Sequence, residues 1–173
     1  MAQGDVVAYP TEAVWGLGCD PFNEQALYKI LLLKQRPYEK GVILVAANMA
    51  QFAPFLTDLS KAERSALELS WPGPNTWLVP DNGYCPPWIR GQHKAVALRV
   101  SAHPVVAALC DHFGGPIVST SANPSGLNAA KTVLQVRRYF RGQPLVYAPG
   151  QVGNNLRPTQ IRDLRTGSVI RSA

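Results

Sequence analysis

Four short segments of this 173-residue chain place reactive groups where a plain core would have none. In Pro10-Thr-Glu-Ala-Val-Trp-Gly-Leu-Gly18 a hydroxyl and a carboxylate, Thr11 and Glu12, follow a buried apolar run and would face a cleft at a strand end. A threonine at such a place serves equally well in a turn. In Lys34-Gln-Arg-Pro37 two cations at a helix end can both reach one phosphate chain, although an isolated pair of this kind more often just complements the helix C-terminus. Trp71-Pro-Gly-Pro-Asn-Thr76 reads by itself as a rigid turn with a packed indole. Ser119-Thr-Ser-Ala-Asn-Pro-Ser-Gly126 offers four hydroxyls and an amide within seven residues, a set that can surround an anion with uncharged donors. Neither common phosphate cradle occurs: there is no Walker-type GxxxxGK loop and no GxGxxG turn. There is no GxSxG elbow, and His93, His103 and His112 lack HExxH spacing, so a Ser-His-Asp hydrolase and a zinc enzyme have no support.

These groups need elements to position them. Asp5–Tyr9 is a short apolar run ended by Pro10 and reads as a buried strand. A helix opens at Asn23 as N-cap, carries Ala26, Leu27, Ile30, Leu31 and Lys34 on one side, and stops before Arg36-Pro37. Gly41–Ala46 is a second apolar strand. Asn48–Leu56 and Ser60–Leu69 read as helical, the latter with Ser60 and Glu63 at capping-box spacing. Thr76–Val79 reads as a strand, then a Pro-rich loop runs through Pro86-Pro87, and Ala95–Val100 is a further strand. A helix over His103–Phe113 ends at Gly114-Gly115, and the strand Pro116–Ser119 runs into the polar loop. Thr132–Phe140 is helical, with Thr132 and Gln135 repeating the capping-box spacing. Leu145–Ala148, Gln160–Asp163 and Ser168–Arg171 close the chain as short strands. Strands alternating with helices argue for one α/β layer structure that places ligands at strand ends.

Composition supports a single domain over residues 1–173. Apolar residues make up 46% and charged residues 16%, a globular balance. A chain this long buries roughly 70% of its unfolded surface without staples. No apolar run approaches the roughly 20 residues that span a membrane, and the start, Met1-Ala-Gln-Gly-Asp5, has no secretory pattern. Cys19, Cys85 and Cys110 match no metal or redox spacing and read as free thiols in a reducing cytoplasm. Charge is uneven: up to Ala130 nine basic residues face ten acidic ones, whereas from Lys131 onward eight basic residues face Asp163 alone. Seven of those eight are arginine, including Arg137, Arg138, Arg141, Arg157 and Arg171. This suggests a polyanionic partner or substrate, or else a solvated face that aids solubility.

Taken in order, the segments resemble the YrdC/Sua5 family in its short bacterial form, nearly end to end. The opening PTEAVWGLG is similar to the family's PTE-x-V/I-aromatic-G-L/V-G, Lys34-Gln-Arg-Pro37 to its KxRP, and Trp71–Thr76 to its WPGPxT. Arg99-Val-Ser-Ala-His-Pro104 is similar to its RVxxHP, Ser119–Gly126 to its S-T/A-SAN-x-SG, and Pro158-Thr-Gln-Ile-Arg-Asp163 to its PSxIxD, with Arg171 as the closing arginine. The resemblance implies a twisted, mostly mixed open sheet with flanking helices and a concave basic cleft. It implies that L-threonine, bicarbonate and ATP give L-threonylcarbamoyl-AMP and pyrophosphate. That product would feed N6-threonylcarbamoyladenosine formation at tRNA position 37 through a separate tRNA threonylcarbamoyl transferase complex. By the same resemblance Lys34 and Arg36 are catalytic and hold the triphosphate, with Ser121, Asn123 and Arg171 on the nucleotide side. Thr11, Arg99, Ser119 and Thr159 hold threonine, and Mg2+ rides on the phosphates.

Two departures stand out. Family members usually carry an amphipathic helix before the first strand, and here the strand begins almost at once, which implies a less covered sheet flank. The serine of PSxIxD is Thr159. The alternative function is a non-catalytic module binding double-stranded RNA or tRNA through Arg137, Arg138 and Arg141, which would not need the KxR and SxN sets.

Overall fold

Alternation along the first strand decides the layering. Val6 and Ala8 turn to one face of the sheet and join the larger core, while Val7 and Tyr9 turn to the other and join a smaller one. The computed structural model describes residues 1, 3–155 and 159–172, so Arg157 and Pro158 lie outside the described residues.

Along the chain the elements are β1 (Val6–Pro10), β2 (Trp15–Gly18), α1 (Glu24–Lys34), β3 (Ile43–Ala46), α2 (Lys61–Ser70), β4 (Asn75–Pro80), α3 (Pro87–Arg90) and β5 (Ala95–Val100). Then come α4 (Pro104–Phe113), β6 (Ile117–Ser121), α5 (Val133–Tyr139), β7 (Leu145–Tyr147), β8 (Gln160–Asp163) and β9 (Val169–Arg171). The nine described strands form one mixed sheet in the order β7-β1-β2-β6-β3-β5-β4-β8-β9. The pairs β1·β7, β3·β5 and β4·β8 are parallel and the rest antiparallel.

α1 buries Ala26, Leu27, Ile30 and Leu31 against the larger core, each large aliphatic contributing about 1.5–3 kcal/mol. α4 buries Val106 and Cys110 on the opposite face, against β1 and β3. The caps read from sequence are present. Asn23 accepts from the Ala26 N–H, and Ser60/Glu63 and Thr132/Gln135 both close capping boxes. Gly114 ends α4 in the left-handed region (φ 84°). Cys19, Cys85 and Cys110 are free and buried, and burial pushes their thiols up to about 12.

Three details go beyond the sequence reading. Trp15–Gly18 is a strand, in which buried Trp15 and Leu17 alternate with two glycines. The glycines are there because β1, β2 and β6 crowd together: a Cβ on Gly18 would lie 2.4 Å from the Val118 carbonyl oxygen and 2.7 Å from the Tyr9 ring. The segment read as helical is helical over Met49–Leu56, of the 3-10 type with Pro54 inside it. The Pro-rich loop contains the one-turn helix α3, with proline in its first turn where no N–H is required. Gly18→Ala is therefore expected to destabilise the protein by about 1–3 kcal/mol through overpacking. Urea denaturation should show a lower midpoint with an unchanged slope.

Candidate active site

The end of α1 separates its two cations. Lys34 lies on the buried side of the last turn. Gln35 then adopts a left-handed conformation (φ 49°), and the Arg36 and Gln35 N–H groups donate to Leu31 and Leu32 carbonyls at 3.0 and 3.1 Å in a Schellman-type ending. This throws Arg36 clear of the helix. Its Nε and Nη2 donate to the Gly41 carbonyl at 3.3 and 2.9 Å.

Lys34, only 3% exposed, lies beneath the Ser119–Gly126 loop. Its Nζ donates to the Ser121 carbonyl and, at 2.8 Å, to the Asn123 carbonyl. The Lys34 carbonyl in turn accepts from the Ser125 N–H at 2.7 Å. Burial, with the neighbouring Arg36 charge, brings its ammonium down to about 8. Asn123 Nδ2 donates to the Pro124 and Leu127 carbonyls, so its donors shape the loop and its Oδ1 is buried without a hydrogen-bond partner.

A cavity of about 240 Å³ opens on the sheet face that α4 shares, beyond the reach of that helix. Register explains which residues meet there: Ser119 on β6 stands opposite Ile43 on β3, and Val45 on β3 stands opposite Arg99 on β5. Thr11, Arg36, Arg99, Ser119, Ser121, Asn123, Thr159 and Arg171 all line this one cavity. Lys34 is not in its wall, and Arg137, Arg138 and Arg141 are exposed on and after α5, outside the cavity. Arg137 stacks over the Tyr147 ring at 5.0 Å.

Each wall residue is held from behind. Thr11 Oγ1 donates to the Val14 carbonyl at 2.7 Å, so the turn role and the cleft position hold together. Thr159 Oγ1 lies 3.0 Å from Thr76 Oγ1, and Arg171 Nη2 donates to the Thr159 carbonyl at 2.9 Å. Partial burial and the charges of Arg171 and Arg99 lower the Arg36 and Arg171 guanidinium values respectively, a sign of like charges gathered in one place. The Trp71–Thr76 segment is a brace, with Trp71 Nε1 donating to the Asn75 carbonyl at 2.9 Å and Thr76 reaching Thr159.

Two features of the wall were not legible beforehand. The segment 149–155 crosses the Thr11–Glu12 turn, with the Gly153 and Asn155 N–H groups donating to the Thr11 and Glu12 carbonyls at 2.9 and 3.0 Å. A Cβ at Gly153 would come within 2.9 Å of the Glu12 carbonyl oxygen, so that glycine permits the crossing. His103 Nε2 meets the Gln151 carbonyl at 3.1 Å and anchors the same segment. The only sequence signal was the glycine itself, between Val152 and Asn154. The second feature is an adjoining apolar hollow of about 230 Å³, walled by Val42, Leu78, Ile89 and Ile161, which shares Arg36, Ile43 and Arg171 with the first.

Among the described residues no three His, Cys, Asp or Glu side chains gather as a metal site. Glu12 is the one carboxylate in the described wall, and one of its two oxygens accepts from Ser101. No described helix is long and apolar enough to cross a membrane.

Arginines and hydroxyls thus converge on one cavity of this α/β chain. The whole chain, residues 1–173, matches the Sua5/YciO/YrdC family model, described as telomere recombination, and belongs to that family. It is similar to the threonylcarbamoyl-AMP synthases of Cellvibrio japonicus (57% identity over 171 residues, 99% of this chain and 90% of the relative) and of Saccharophagus degradans (58% over 172 residues, 99% and 90%). Among solved structures it is similar to P. abyssi Sua5 complexed with L-threonine, with a TM-score of 0.83 and 29% identity over 93% of this chain. The chain spans about half the length of that Sua5 chain (47%).

Lys34 loses its charge as pH rises through about 8, whereas ATP carries constant charge above neutral pH, so ATP affinity measured by calorimetry should fall across that range. Lys34→Gln should bind weakly throughout and lack that step.

Proposed function

We infer that this chain is a threonylcarbamoyl-AMP synthase that condenses L-threonine, bicarbonate and ATP to L-threonylcarbamoyl-AMP and pyrophosphate. The observation that carries the reading is the single cavity shared by Thr11, Arg36, Arg99, Ser119, Ser121, Thr159 and Arg171, in a chain more than half identical to proteins of that name.

In this reading the threonine amine, having given up its ammonium proton, attacks the carbon of CO2 with loss of a second proton, or of bicarbonate with loss of water, to give an N-carboxylate. An oxygen of that carboxylate attacks the α-phosphorus of ATP, and pyrophosphate leaves. Charge gathers on phosphate oxygens, so catalysis is positioning plus fixed positive potential. Arg36 and Arg171, at the junction of the two hollows, grip the triphosphate, and the apolar hollow seats the base. Lys34 supports the Ser121–Asn123 loop from beneath and adds charge to it. Arg99 forks the threonine carboxylate, with Thr11, Ser119 and Thr159 around it. Mg2+ accompanies ATP. The product passes to a tRNA threonylcarbamoyl transferase complex in the cytoplasm, for N6-threonylcarbamoyladenosine formation at tRNA position 37.

Purified protein should release pyrophosphate from ATP only when both threonine and bicarbonate are present, and a folded protein that releases none overturns the reading. Arg36→Ala should retain the fold by circular dichroism and lower kcat/KM by about 2–4 kcal/mol, comparable to losing one oxyanion donor.

The exposed Arg137, Arg138 and Arg141 favour one further contact, with tRNA. Replacing all three by alanine should reduce the slope of log affinity for tRNA against log salt by about 2–3 and leave adenylate synthesis intact. An unchanged slope assigns them to a solvated face.

A further inference from the structure

We propose that Glu12 accepts the ammonium group of the amino-acid substrate, so that Glu12 and Arg99 together read an α-amino acid as a zwitterion. The proposal rests on the synthase reading above and adds a specificity residue to it.

Glu12 is a carboxylate in a wall that otherwise gathers arginines. Burial would raise its carboxyl, but Arg99, the Ser101 hydroxyl and nearby groups outweigh that and hold it below the usual range, so it is ionised. Its two oxygens differ. Oε1 accepts from Ser101 Oγ at 2.7 Å, and that same Oγ accepts from the His103 N–H at 3.2 Å. Oε2 is buried and has no hydrogen-bond partner; Arg99 Nη2, at 3.5 Å, is within Coulombic reach but too far for a good bond. Arg99 Nε is likewise buried and without a partner.

The pair stays open because both sides are fixed. The Glu12 backbone is pinned by the Asn155 N–H, and Ser101 locks the carboxylate plane. Arg99 sits 8% exposed on the interior strand β5. A buried carboxylate oxygen without a donor is costly, and a ligand that brings donors removes the cost. An α-amino acid supplies both complements, a carboxylate for the Arg99 fork and three N–H donors for Oε2. Thr11 Oγ1 points the same way: its proton goes to the Val14 carbonyl, so toward the cavity it can only accept. A wall of arginines alone would repel an ammonium, and Glu12 offsets that at one point.

The competing account is that Glu12 merely orients Arg99. The two separate with 3-hydroxybutyrate, which is threonine without its amine. Calorimetry on the wild-type protein should show L-threonine binding about tenfold or more tighter than 3-hydroxybutyrate, the worth of one charged hydrogen bond. In Glu12→Gln, threonine affinity should drop to that of 3-hydroxybutyrate, whose own binding holds or improves. Ser101→Ala, which unlocks the carboxylate plane without removing the charge, should shrink the preference in the same direction and serves if Glu12→Gln misfolds. Equal weakening of both ligands, or a preference that survives in both variants, overturns the proposal. A folded wild-type protein that binds ATP but no threonine overturns the synthase reading as well.

Discussion

The site depends on cations whose donors are satisfied by carbonyl oxygens, with Lys34 buried, Arg36 half-buried and Arg171 exposed at its rim. Lys34 donates to Ser121 and Asn123, Arg36 to Gly41, and Arg171 to Thr159, all through main-chain oxygens. A carbonyl dipole satisfies the donor without cancelling its charge. Positive potential therefore survives in a confined, partly desolvated space, where it acts more strongly on an anion than it would at an open surface. Arg99 is the exception, with Glu12 nearby, and the loose 3.5 Å geometry keeps even that pair unfinished.

This arrangement makes demands on the whole sheet. Ser119 and Arg99 reach one space because β6 and β5 flank β3 in fixed register. Thr159, just before β8, and Arg171, on β9, come from the far edge, brought in by the parallel pairing of β8 with β4 and by the Thr76–Thr159 contact. The strap over residues 149–155 closes the other side and holds the Thr11–Glu12 turn by two main-chain hydrogen bonds. The large core beneath, on the α1 face, lets the opposite face give up apolar packing to polar groups.

Much of this was legible in the amino-acid order. The helix over residues 24–34 follows from its spacing and its Asn23 cap, and both capping boxes from residue types three apart. Eight of the nine residues assigned to substrates do share a cavity. The position of Lys34 was less legible: adjacent charges in a motif suggest a common duty, but the left-handed Gln35 turns the two cations into different places. Asn123 likewise directs its donors to its own loop. The β2 strand escaped because its glycines answer to the Tyr9 ring and the Val118 carbonyl, neighbours that no local pattern reveals.

Local chemistry thus determined most of the helices, strands and turns, though not β2 or α3, and which polar residues stand apart from the core, because capping, periodicity and proline act over a few neighbouring bonds. The meeting of Glu12, Ser101 and Arg99, the crossing of Gly153 and the two joined hollows were decided by tertiary structure alone. Those depend on strand order and register, which bring together residues as far apart in the chain as Thr11 and Arg171. Such contacts arise from the packing of the whole sheet and leave no mark on the sequence around either residue.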